Sequence, residues 1–180
     1  GLPYESEAKE IPGWYVTETP DNASGTFTED PQEVVYMYGK SDGLVRGTWG
    51  TVPWTWDEET KTVELEEGIA GSPSTAPWRT YTNVVRIVVN DKVVFPANSS
   101  AMFGGASTTV RLTSLEEIEN AENIDVSNVT NFSNMFSRLS TLRTVNVSNW
   151  NTSNGTNMSS MFQGASQLTD LDVSNWETGN

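Results

Sequence analysis

The chain has 180 residues, a formal net charge of −14, and neither cysteine nor histidine. Disulfides, thiolate metal sites and imidazole acid–base chemistry are therefore excluded. Residues 1–67 hold 15 acids against 4 bases, which opposes nucleic acid and anionic membranes, and no apolar run reaches the length of a membrane span.

Residues 1–38 read as short β-strands. "GWYVTET" and "EVVYMY" carry strand-type residues, with a turn at "PDNASG" between them. "GKSDG" at 39–43 is a Gly, Ser and Asp cluster suited to a linker. Residues 44–82 form the next segment. Its "GTWGTVPWTW", the polar "DEETK" and "TVELEEG" predict an antiparallel hairpin, and most of the tryptophan lies here.

From about residue 83 to residue 180 a repeat takes over. Aligning 131–154 with 157–180 gives 12 identities in 24 positions, and "NSSAMFGGAS" at 98–107 matches "NMSSMFQGAS" at 7 of 10. One half of the unit is Leu142-x-x-Val145-x-Val147 and its copy Leu168-x-x-Leu171-x-Val173. Earlier versions start at Val84 and at Ala121, the latter placing Ile124 and Val126 in the strand. The final residues alternate as a strand with one buried face requires. The other half, "NFSNMF" or "NMSSMF", predicts a capped helical turn. A period of 26 falls in the leucine-rich-repeat range. Met102 and Met135 are 33 apart, which places a 7-residue insertion in "RLTSLEEIENAE". The expected fold class is α/β: a leucine-rich-repeat solenoid of short parallel strands and helical turns, a β-rich N-terminal cap, and a small all-β segment before it.

A single strand and turn cannot bury its own apolar face, so each unit must be covered by its neighbours. Leu142, Val145, Val147, Phe136 and Met135 are expected to stack on Leu168, Leu171, Val173, Phe162 and Met161. Asn128, Asn149 and Asn175 recur after each "VS", where an amide can bond the backbone of an adjacent turn.

These residues carry a resemblance. "SNWNTSNGTNMSSMFQGASQLTDLDVSNW" resembles the repeat of BspA-like leucine-rich-repeat surface proteins of bacteria. Asp172, Ser174, Trp176, Thr152, Ser153, Thr156, Asn157, Met158, Met161 and Phe162 stand on that pattern. Departures are Gly155 in place of Val, Asn146 in place of Asp, and Val129 where other copies have Trp. "YESEAKEIPGWYVTETPDNASGTFTEDPQEVVYMY" is similar to the second half of a MucBP repeat, the mucin-binding-protein module of Gram-positive surface proteins. The first half of that module would precede Gly1.

Together these resemblances imply an extracellular, wall-attached or secreted protein that is not an enzyme. They imply adhesion to host or environmental glycoprotein, such as mucin or matrix protein, without nucleic acid, membrane insertion or a cofactor. The alternatives are a spacer that projects another domain from the wall and, third, a surface glycoside hydrolase.

The outward residues of the strand face are the first candidates for a ligand surface. They run Arg86, Val88, Asn90; Asn123, Asp125, Ser127; Thr144, Asn146, Ser148; and Asp170, Asp172, Ser174. Of these, Asp125, Asn146, Asp170, Asp172, Thr144 and Ser174 offer amides, hydroxyls and carboxylates to a glycan or an extended peptide. A second candidate is an aromatic platform of Trp54, Trp56, Trp78 and Tyr81, set against their use as a cap on the apolar end of the solenoid. Acid pairs at 57–60, 64–68 and 115–119 are of the type a glycosidase needs, yet the sequence gives no sign that they converge. No EF-hand spacing is present, and no metal is expected.

Overall fold

The computed structural model describes residues 1–81, 83–105 and 112–177. Residue 111 of the expected insertion, positions 106–107 of the third repeat copy and the last three residues of the array lie outside them. The chain divides into two compact units, Gly1–Leu44 and Val45–Asn180.

In the first unit, β1 (Pro3–Glu5) pairs antiparallel with β3 (Ser24–Thr26), and β2 (Trp14–Glu18) pairs antiparallel with β4 (Met37–Lys40). Two-stranded ribbons bury little. Leu2, Trp14, Tyr15, Phe27 and Met37 remain exposed accordingly.

Next in the chain come β5 (Leu44–Trp49), nearly all of it in the second unit, then β6 (Val52–Asp57) and β7 (Thr62–Leu65). The hairpin read from the sequence is present: β6 and β7 are antiparallel, with Trp54 opposite Leu65 and Trp56 opposite Val63. Asp57 makes its turn. One carboxylate oxygen accepts the Glu59 N–H at 2.8 Å and the other accepts the Thr60 hydroxyl at 2.8 Å.

From β7 onward the chain coils, and successive coils join along three parallel ladders. The first runs β7, β9 (Arg86–Val89), β11 (Glu117–Glu119) and β13 (Thr144–Val145), with Thr144 bridging on to Asp170. The second runs β8 (Gly68–Ile69), β10 (Val93–Val94) and β12 (Ile124–Asp125). The third joins Asn98, Asn131 and Asn157.

The α/β class is overturned. Among the described residues there is no α-helix, only 3₁₀ turns at Pro73–Thr75, Pro77–Arg79 and Ala121–Asn123. The segments expected to be helical turns send their backbone donors sideways into the next coil. Phe132, Asn134, Phe136 and Arg138 donate to the carbonyls of Asn157, Ser159, Met161 and Gln163 at 2.7–3.0 Å. Asn98, Asn131 and Asn157 each accept the N–H of the Ser two residues on, which offers the backbone a turn in place of a helix. Ala101, Asn134 and Ser160 then sit in the left-handed region (φ 53°, 57° and 56°), which no α-helix tolerates.

The core fills the interior of the coils. Leu142, Val145, Val147, Phe136 and Met135 are buried together, as the repeat requires. In the following coil Met161 is buried and Phe162, Leu168 and Trp176 pack partly on the core, whereas Leu171 and Val173 are more than a third exposed. Rings run through the stack in a column: Trp78 on Phe103 (5.1 Å), Phe103 on Phe136 (5.4 Å) and Phe136 on Phe162 (5.1 Å, 5° between planes). Gly104 lies where a Cβ would meet the Ser137 backbone at 2.4 Å, so the two coils approach there as only glycine allows.

Candidate binding surface

The first ladder turns its outward side chains in two rows. One row reads Arg86, Glu117, Thr144, Asp170, with Thr62 in register before it but buried; the other begins Glu64, Val88, Glu119. The Arg86 guanidinium lies between Glu117 and Glu119, at 3.5 and 4.0 Å. From β13 onward, Thr144, Asn146, Ser148, Asp170 and Asp172 line an open groove of about 620 Å³ together with Thr169 and Leu171.

Two groove residues have structural work of their own. Asn146 Oδ1 accepts the Ser148 N–H (3.3 Å) and hydroxyl (2.8 Å). Asp172 Oδ1 accepts the Ser174 N–H at 2.9 Å, and the Ser174 side chain and backbone hold the Asp172 carboxyl below its usual range. What remains to face a ligand is the Asn146 amide N–H₂, the second Asp172 oxygen, the Thr144 hydroxyl and the exposed Asp170 carboxylate. Ser174 is exposed in the turn that follows.

Asp125 does not belong to this row. The sequence pattern aligns Ile124-x-Val126 with Val145-x-Val147, but the residue opposite Thr144 is Glu117, and Ile118 stands beside Val145. Asp125 lies on the second ladder, opposite Val94. There it binds Lys92 Nζ at 2.8 Å and accepts the Ser127 N–H at 3.0 Å. Lys92 first, then Ser127, hold its carboxyl down at about 2. Asp125 lines a separate hollow of about 340 Å³ with Glu122, Asn123, Asn149 and Asn151. Glu117 and Glu119 were missed as outward residues. The signal was available: Leu115-x-x-Ile118 fits the same template as Leu142-x-x-Val145.

The four aromatic candidates form no platform. Trp78 is fully buried and its indole N–H donates to the Met102 carbonyl at 2.9 Å. Trp56 is buried too, stacked on Tyr81 at 4.6 Å and donating to Glu58 at 3.1 Å. Only Trp54 and Tyr81 are half-exposed, edge to face at 6.3 Å. Burial of the other two follows from the hairpin's inward alternation and from the need to close the apolar end of the coil.

Two acids at the hairpin turn, Asp57 and Glu58, are tied up as well. Glu58 accepts from Lys61, Asn83 and Trp56, and these bonds, Lys61 first, lower its carboxyl. A glycosidase general acid needs the opposite shift. Among the described residues no group of three or more Asp or Glu is placed to hold a metal ion, and no helix is long and apolar enough to cross a membrane.

Comparison with known proteins bears on both units. Residues 1–39 match the MucBP domain. Residues 97–180 match the family described as "Mycoplasma protein of unknown function, DUF285". Internalin J of Listeria monocytogenes serovar 1/2a is 33% identical over 108 residues, 60% of this chain and 12% of that protein. Internalin J of serotype 4b is 34% identical over 108 residues, 60% of this chain and 11% of that protein. The chain therefore spans about an eighth of the length of these relatives. No solved structure matches.

Proposed function

We propose that this chain is a non-enzymatic interaction module of a bacterial cell-surface or secreted protein, of the BspA-like kind, and that it adheres to host or environmental glycoprotein. The MucBP match supports a mucin-like partner, and the similarity to Internalin J of Listeria supports a Gram-positive surface setting. Within the chain we assign residues 1–38 to a partial MucBP-like segment, 44–82 to the cap and 83–180 to the repeats.

The observation that carries the site is the groove of Thr144, Asn146, Asp170 and Asp172. Short hydroxyl, amide and carboxylate groups stand there on a rigid ladder and lose little rotamer freedom when they bond a sugar or peptide. Each contact is weak, so strength must come from many copies side by side.

The test is retention of purified mucin by the chain displayed densely on beads, compared with soluble monomer and with enzymatically deglycosylated mucin. Retention that needs both dense display and intact glycan supports adhesion. A specific observation favours one second reading, a spacer that binds nothing: Asn146 and Asp172 spend an oxygen on their own turns. Absence of retention at any display density selects the spacer.

A further inference from the structure

Where the repeat pattern calls for valine the chain has Gly155, and this makes Asn154–Gly155 the one Asn-Gly pair in the sequence. Such a pair can react with itself, because glycine has no Cβ to shield its backbone nitrogen. That nitrogen adds to the side-chain amide carbon of the asparagine and closes a five-membered succinimide. The Cγ–Nδ2 bond breaks, and the proton of the backbone N–H leaves with Nδ2 as ammonia. Water then opens the ring at one carbonyl or the other, giving aspartate or isoaspartate.

The fold holds both reacting groups in place. The Gly155 N–H donates to the Thr152 carbonyl at 2.8 Å, and the Asn154 amide donates to the Ser127 carbonyl of the preceding coil at 2.7 Å. The nucleophile is thus closed into a turn while the leaving group is tied to another coil. Gly155 is buried and Asn154 is exposed to water. A Cβ at position 155 would meet the Thr152 carbonyl oxygen at 3.0 Å and the Phe132 ring at 3.1 Å, so glycine also suits the packing. One coil earlier, Asn128 and Val129 occupy the same turn, with the Val129 N–H donating to the Val126 carbonyl at 2.8 Å. There the β-branched side chain crowds the nitrogen.

We propose that Asn154–Gly155 is a self-modification site, kept shut by the folded coil and converted to aspartate or isoaspartate when that coil opens. Ammonia is lost, so refolding does not restore the amide. Conversion removes the Nδ2 donor, sets a carboxylate against the Ser127 carbonyl, and adds one negative charge to a chain already at −14. Isoaspartate also routes the main chain through an extra methylene carbon. Asn149 and Asn175 clasp the coils in the same way, on the carbonyls of Glu122 and Ser148, but each is followed by tryptophan and lacks the reactive neighbour. Opening therefore leaves a lasting mark at Asn154. The site does not depend on the groove or on adhesion.

The experiment incubates three samples at mildly alkaline pH: the full chain in buffer, the full chain in urea above its unfolding midpoint, and a synthetic peptide of residues 150–158 in buffer. Peptide mapping by mass spectrometry reads the conversion of each asparagine. The folded chain should convert at Asn154 at least about tenfold more slowly than the peptide, because only the opened fraction reacts. Urea should bring the chain to a rate near the peptide's, with Asn154 converting ahead of Asn128 and Asn149. Converted chain, returned to buffer, should melt at a lower temperature than unconverted chain taken through urea briefly. Three results each overturn the proposal: a folded chain that converts as fast as the peptide, an Asn128 that converts in urea as fast as Asn154, or a converted chain whose melting temperature is unchanged.

Discussion

The indole N–H of Trp150 donates to the carbonyl of Ala121 in the preceding coil, at 2.9 Å, and the ring is 2% exposed. The same bond recurs from Trp176 to Val147. Each tryptophan therefore fills the interior and ties one coil to the one below. Trp150→Ala should destabilise the second unit by about 3–5 kcal/mol, measured by urea denaturation. Trp150→Phe keeps most of the ring but removes one of the two donors to the Ala121 carbonyl, which still accepts the Ile124 N–H, and should cost about 0.5–1.5 kcal/mol. A near-neutral result for either variant would mean that the coils are not clasped through the indole.

Arg138 and Gly164 occupy corresponding places in successive repeats, both with positive φ (65° and 78°). Glycine suits this position and arginine does not. Arg138 is exposed, so replacing it forfeits little packing. Arg138→Gly should stabilise the chain by up to about 1 kcal/mol, part of the relief being offset by the greater freedom of the unfolded chain. Gly164→Ala should destabilise by about 1–2 kcal/mol even though a Cβ there meets nothing closer than 3.6 Å. Thermal melting of the two variants gives the signs; both shifting in the same direction would contradict the backbone assignment.

The Asp125–Lys92 pair sets an acid limb of stability. The Asp125 carboxyl is lowered in the fold to about 2, from an ordinary 3.8. A depressed acid contributes stability above its unfolded pKa and loses it as pH falls through the folded one, here from about pH 4 to about pH 2. Lys92 is largely solvent-exposed, so screening by water keeps the pair's contribution small. Asp125→Asn retains an oxygen for the Ser127 N–H and removes the ion pair. Denaturation midpoints at pH 6 and pH 2.5 should differ less for Asp125→Asn than for the parent, and an unchanged difference would remove Asp125 as the titrating group.

The repeat was legible because apolar side chains recur with one period, and burial follows that recurrence at Leu142, Val145, Val147 and Phe136. The helical turns were a misreading of Asn and Ser. Before an apolar pair these residues look like helix caps, but in this chain they bond their own backbone two residues on, and the freed donors reach the next coil. Asp125 was misplaced because Ile124-x-Val126 imitates the strand template while Glu117–Glu119 takes the strand's place in the ladder. Trp56 and Trp78 could serve as platform or plug on composition alone; only the direction in which each ring points separates the two. The groove at Thr144 and Asp170 was visible as an outward pattern, though the turn bonds that occupy Asn146 and Asp172 were not.

Adhesion through that groove is tested most directly by mucin binding to bead-displayed chains, parent against a Thr144→Ala, Asp170→Ala double variant, at low and moderate salt. Neither substitution touches the turn bonds of Asn146 or Asp172, so the fold is retained. The account predicts that the parent holds mucin, that its binding to an acidic mucin strengthens with added salt as repulsion from a chain of net charge −14 is screened, and that the double variant binds several-fold less at both salts. Equal binding by parent and double variant would contradict the groove as the adhesive surface.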